Sequence, residues 1–179
     1  MSTPAPRTLV AGIGNIFLGD DGFGVEAVRQ LSAGPLPPHV EAVDFGVRGV
    51  HLAYQLLEGY DTAVLLDATA RGGAPGTLYV IEDAEADTPP GGAPLDGHRM
   101  TPGTVLALLG TLGAGTGTAP PARILVVGCE PACLDEGIGL SDAVRGAVPR
   151  AVRTVRDLVG TATPTPCPRP VRPPPEEEP

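Results

Sequence analysis

G-I-G-N-I-F-L-G-D-D-G-F-G-V-E-A-V, running from Gly12 to Val28, completes an apolar strand-like run, Thr8 to Gly12, and opens a helix whose apolar positions, Val25, Val28 and Leu31, recur at helical spacing. A strand that turns directly into a helix is the repeating unit of an open α/β sheet. In such sheets ligands bind beyond the carboxyl ends of the strands. Asp20 and Asp21 are therefore expected to face that crevice. Glycines at 12, 14, 19, 22 and 24 look like a nucleotide loop, but G-x-G-x-x-x-x-G misses the dinucleotide fingerprint and no G-K-[ST] follows. Carboxylates at a strand end suit a hard or borderline metal cation rather than a phosphate.

Outward from this junction, strand and helix patterns alternate. The Gly34 to Pro38 segment ends the first helix, Val40 to Phe45 alternates as a strand, and Val50 to Leu57 carries a short helical stripe of Val50, Tyr54 and Leu57. Thr62 to Asp67 is a third strand, and its core, Ala63 to Leu66, lacks alternation, as a central strand covered on both faces requires. After the Pro75-Gly76 turn, Thr77 to Ile81 is expected to pair antiparallel, because too few residues intervene for a crossover helix. Glu82 to Asp96 is acidic and proline-rich and is expected to form an exposed loop leading to His98. Thr101-Pro102 opens a helix that Gly113 to Pro121 is expected to break. Arg123 to Val127 is the last strand, and Ser141 to Val159 the last helix, capped by Ser141, with Val144, Val148, Val152, Val155 and Val159 on one face. This order predicts a three-layer α/β/α domain over residues 1–160. The proline-dense remainder, 161–179, buries too little apolar surface to offset ordering and is expected to be disordered.

The chain has 179 residues, a length suited to one domain. Its 12 basic residues, all Arg, against 21 acidic ones give a net charge of -9, which argues against nucleic acid or an anionic membrane as partner and for a basic or neutral polypeptide. No apolar run is long enough to span a bilayer, and the N-terminal M-S-T-P-A-P-R lacks a signal-like apolar region. Three cysteines, Cys129, Cys133 and Cys167, form no complete set of pairs, which fits a reducing, cytoplasmic setting. C-x-x-x-C, from Cys129 to Cys133, is neither a redox motif nor half of a zinc ribbon, so a buried thiol and an incidental surface thiol are expected.

The segment from Gly12 to Gly24 resembles the opening motif of the nickel-iron hydrogenase maturation endopeptidases, matching it at Gly12, Gly14, Asn15, Asp20, Asp21, Gly22 and Gly24. The resemblance continues through D-F-G-V-R-G (Asp44 to Gly49), V-L-L-D-A (Val64 to Ala68), P-G-T-L (Pro75 to Leu78), His98 before a helix, and V-G-C-E-P (Val127 to Pro131), covering roughly residues 8 to 160. D-F-G-V-R-G departs from the family's D-G-G-T-like segment at Phe45 and Arg48, which bears on local substrate contacts. The resemblance implies a five-stranded mixed sheet with one antiparallel strand.

Asp21, Asp67 and His98, each at a strand end or on a nearby loop, form the candidate metal site, and the family's metal-binding positions fall on them. Two carboxylates and an imidazole leave coordination positions open on nickel or zinc. The same three residues are the catalytic candidates. Taken alone, Asp67 also suits a turn or helix cap, and His98 an exposed loop. Asp20 is expected to be the helix N-cap, because adjacent acids do not easily face one ion. His39 and His51 are expected to be structural or solvent-facing.

The resemblance implies an endopeptidase that removes the C-terminal extension of a nickel-iron hydrogenase large-subunit precursor once nickel is inserted. Nickel would be delivered by the substrate, with zinc or cadmium able to substitute in vitro, and the enzyme is expected to be a monomer. The rivals are another metallopeptidase or amidase on a related fold with a permanently bound metal, and a non-cleaving, nickel-checking chaperone or nucleotide-binding module.

Overall fold

A computed structural model describes residues 6–82 and 101–160. They form β1 (Thr8–Ile13), α1 (Phe23–Ser32), β2 (Val40–Gly46), α2 (Gly49–Leu56), β3 (Thr62–Ala68), β4 (Leu78–Glu82), α3 (Pro102–Thr116), β5 (Arg123–Cys129) and α4 (Asp142–Gly160), with a 3-10 turn at Gly19–Gly22 ahead of α1. The strands make one sheet in the order β2-β1-β3-β5-β4. β1, β2, β3 and β5 pair in parallel, and β4 runs antiparallel to β5, as the short β3–β4 connection requires.

Side chains on a strand point alternately to its two faces. Val10, Val64 and Leu66 accordingly join α1 and α4 in one core, and Leu9, Ala11, Ile13, Ala63 and Leu65 join α2 and α3 in the other. The result is the expected α/β/α sandwich, a five-stranded mixed sheet between two helix pairs. The unbroken apolar run of β3 follows from this placement, because every residue from Ala63 to Leu66 is buried under helices on one face or the other.

The helices differ from the sequence expectation in ends, caps and buried faces; in α2, Val50 and Tyr54 of the expected stripe are exposed, and Leu52, Ala53 and Leu56 are buried instead. α3 starts where expected, with Thr101 Oγ1 accepting from the Thr104 N–H at 3.1 Å, but it runs through Gly113 to Thr116. It stops at Gly117, whose φ of +69° favours glycine. Ser141 caps α4, its Oγ accepting from the Val144 N–H at 3.4 Å, yet Val152 sits at the edge of the buried face rather than within it. Asp20 does not cap α1: the cap position is Gly22, with no side-chain hydrogen bond, and the Asp20 carboxylate turns to another loop. The expected loop beyond Glu82 and the tail 161–179 lie outside the described residues.

The strand order places a topological switch point between β1 and β3, since the chain leaves β1 toward β2 on one side and returns to β3 on the other. Their intervening helices, α1 and α2, pack on opposite faces, and a crevice opens above the two strand ends.

Candidate active site

The β1–α1 junction is shaped by glycines that permit close backbone approach. A Cβ on Gly24 would collide with the carbonyl oxygens of Leu66 and Ile13, so only glycine lets the first turn of α1 sit against the ends of β1 and β3. Gly14, with φ +134°, would likewise drive a Cβ into the Asp21 carbonyl oxygen. Close backbone approach between packed elements, not phosphate binding, accounts for both.

The intervening loop folds back on itself. Leu18 N–H donates to the Asn15 carbonyl at 3.1 Å, Asp21 N–H to the Leu18 carbonyl at 3.1 Å, and Asn15 N–H to Asp21 Oδ2 at 2.6 Å. Asp21 is thereby presented beside Asp67, the penultimate residue of β3. The two carboxylates line one cleft of about 350 Å³ with Gly14, Asn15, Thr101 and Leu134.

Their settings differ. Asp67 is buried, and burial, followed by the neighbouring Asp21 charge, pushes its carboxyl well above the ordinary aspartate value; the Ala68 N–H opposes this without cancelling it. Burial and Asp21 thus favour the protonated form of Asp67, and a cation entering the cleft would favour its carboxylate. Asp21 is half-buried and is anchored through one oxygen. A buried acid beside a second acid is a poor phosphate site and a reasonable divalent-cation site.

His98, the third expected ligand, lies outside the described residues. Among the described residues, no three His, Cys, Asp or Glu side chains converge as a metal site. His51 is exposed and His39 half-buried, away from the cleft. Asp44 pairs with Arg29 at 3.1 Å in a neighbouring groove. Cys129 is buried with its thiol pushed up to about 11, chiefly by burial, which suits an inert core thiol rather than a nucleophile. Cys133 is exposed, so both cysteine expectations hold.

Two further acids brace the cleft, and their roles were not visible in the sequence. Asp20 is buried and accepts from the N–H groups of Ala132 (2.8 Å), Cys133 (3.1 Å) and Ser141 (2.7 Å) and from the Ser141 hydroxyl (2.9 Å). Burial alone would raise its carboxyl, but these donors outweigh burial and hold it below the usual value. It ties the β1–α1 junction to the β5–α4 loop that carries Leu134 into the cleft. Glu130 accepts from Arg71 N–H (2.8 Å), Gly72 N–H (3.1 Å) and Tyr79 Oη (2.8 Å), fixing the loop that follows Asp67. The Arg71 N–H is the largest influence holding Glu130 below its usual value, against the opposing effect of burial. An acid directly after an apolar strand was the available signal for Glu130; nothing local signalled the Asp20 contacts.

A family model described as HycI, hydrogenase maturation protease, matches residues 25–158. The chain belongs to the hydrogenase maturation protease family, and with it to the hydrolases. The hydrogenase expression/formation protein HupD of Rhizobium leguminosarum bv. viciae is 37% identical over 153 residues, spanning 84% of this chain and 73% of its own length. The hydrogenase 2 maturation protease of Escherichia coli K12 is 32% identical over 152 residues, spanning 83% and 88%. Among solved structures, the hydrogenase maturating endopeptidase HybD from E. coli matches with a TM-score of 0.67 at 29% identity, covering 86% of this chain and 92% of that one. The family match includes Asp67 and most of α1 and α4; the opening loop with Asp20 and Asp21 lies just ahead of it.

Proposed function

We propose that this maturation protease removes the C-terminal extension of a nickel-iron hydrogenase large-subunit precursor after nickel insertion, gripping the substrate's own nickel between Asp21 and Asp67, with His98 as third ligand. The observation that carries the proposal is the convergence of Asp21 and Asp67 in one cleft at the β1/β3 switch point. Two oxygen donors without a thiolate leave coordination positions free for groups the substrate already supplies, and they hold a free ion weakly. Nickel then reports that the precursor is ready, and it is part of the substrate rather than a resident cofactor.

The reaction is hydrolysis: water adds to the scissile carbonyl, the C–N bond breaks, and the amide nitrogen leaves with a proton. A cation beside that carbonyl stabilises the charge that develops on its oxygen. The acidic chain suits a polypeptide partner, and action as a monomer in the cytoplasm belongs to the same proposal. Among the described residues, no helix is long and apolar enough to cross a membrane.

Incubation with nickel-loaded precursor, followed by intact-mass measurement, tests this. Wild type is expected to remove one C-terminal peptide, while Asp21→Asn, Asp67→Asn and His98→Ala retain the fold by circular dichroism and leave the mass unchanged. An unchanged mass with wild type would instead favour a chaperone that checks nickel without cutting.

A further inference from the structure

A second concavity, also of about 350 Å³, adjoins the acid cleft and shares Gly14, Asn15 and Val47 with it. Its walls are apolar. Phe45 is buried, whereas Ile16, Phe17 and Val47 are 37%, 60% and 52% exposed. Large apolar side chains left in water along one groove mark a surface kept for contact with another molecule. The groove also carries Arg29 and Arg48. Arg29 is paired with Asp44, but the Arg48 guanidinium donates to the carbonyl oxygens of Phe45, at 3.1 Å, and of Asp44, and among the described residues it pairs with no carboxylate. The adjoining concavities therefore offer two acids in one and an unneutralised arginine in the other, within a chain of net charge -9.

We propose that this groove seats the C-terminal extension of the precursor, with an apolar side chain against Phe17 and Val47 and a carboxylate side chain beside Arg48. The assignment rests on the function proposed above, which places the substrate's cation between Asp21 and Asp67. Charge then fixes the direction of the peptide: from the cation it crosses the apolar stretch and meets Arg48 with an acid. The Phe17 backbone is held independently, its carbonyl accepting from the Gly137 N–H at 2.9 Å, so substitution there removes a side chain without loosening the loop.

The test uses fluorescence anisotropy with two labelled synthetic peptides: the precursor's C-terminal extension, and the same sequence with Asp and Glu replaced by Asn and Gln. Wild type is expected to bind the acidic peptide about tenfold more tightly than the neutral one, and Arg48→Glu to abolish that preference. The double variant Phe17→Ser/Val47→Ser is expected to weaken binding of both peptides by about tenfold, through lost apolar burial. Equal affinities across the three proteins, or no binding of either peptide to wild type, overturns the assignment. In parallel, kcat/KM for nickel-loaded precursor should fall about tenfold in the double variant, through KM; an unchanged kcat/KM also overturns it. Wild type that shows the peptide preferences yet leaves the precursor uncut supports the groove and defeats the protease proposal.

Discussion

Asp20 and Ser141, 121 positions apart, are joined by two hydrogen bonds, Ser141 N–H to Asp20 Oδ1 at 2.7 Å and Ser141 Oγ to Asp20 Oδ2 at 2.9 Å. One buried carboxylate thus closes the β5–α4 loop onto the β1–α1 junction, immediately beside the acid that faces the cleft. The cleft walls come from separate parts of the chain, and bonds of this kind hold them in register.

Asp20→Asn is expected to destabilise the protein by roughly 3 kcal/mol, since hydrogen bonds to a charged acceptor contribute about 1.5–3 kcal/mol each and an amide reproduces only part of the set. The melting temperature should fall by about 5–10 °C. The folded-state pKa of Asp20 is lowered, so its stabilisation is present above the unfolded value of about 3.9 and is lost as pH falls through the lower folded value. Calorimetric melts of both proteins across acid pH check this; equal melting temperatures at pH 7 would remove Asp20 from the scaffold.

Asp67 has the opposite sign. Its raised pKa means that its contribution to stability is fully present below the unfolded value of about 3.9 and is lost as pH rises through the raised folded value. The unfolding free energy of Asp67→Asn, relative to chelator-treated wild type, should therefore increase with pH. A pH-independent difference in denaturant melts would show that Asp67 is not strained by burial and by Asp21.

The raised pKa of Asp67 also couples to cation binding. Because the Asp67 pKa is raised, nickel or cadmium entering the cleft is expected to favour its carboxylate and release protons, so affinity should weaken as pH falls. Calorimetry in buffers of different ionisation enthalpy measures that release. Asp67→Asn should lose both the release and most of the affinity; full retention of both would place the ion elsewhere.

Glu130→Ala should free the loop after Asp67, because the Arg71 and Gly72 N–H groups lose their acceptor. Trypsin is expected to cut after Arg71 faster in this variant than in wild type, with Glu130→Gln intermediate. Identical cleavage rates would show that the loop is held by other contacts.

Much of the fold was legible because it rests on local pattern. The unbroken apolar run of Ala63 to Leu66 marked a central strand, and the short step from β3 to β4 fixed an antiparallel edge. Thr101 and Ser141 announced their helices through cap chemistry. Gly113 misled because a glycine inside a helix costs only about 1 kcal/mol, and α3 passes through it. Asp20 misled because an acid before a helix is a common cap, whereas its real donors lie more than a hundred residues away. The candidate acids Asp21 and Asp67 could be named from the motifs, but the raised pKa of Asp67 comes from burial and from its neighbour Asp21, which only the tertiary structure supplies.

The central claim, that the acid cleft recognises nickel already carried by the precursor, is tested most directly by exchanging the location of the metal. Chelator-treated, desalted enzyme is expected to cut nickel-loaded precursor, and enzyme soaked in nickel or zinc to leave nickel-free precursor intact. Cleavage of nickel-free precursor by zinc-loaded enzyme at a comparable rate would contradict the claim and identify an ordinary metallopeptidase.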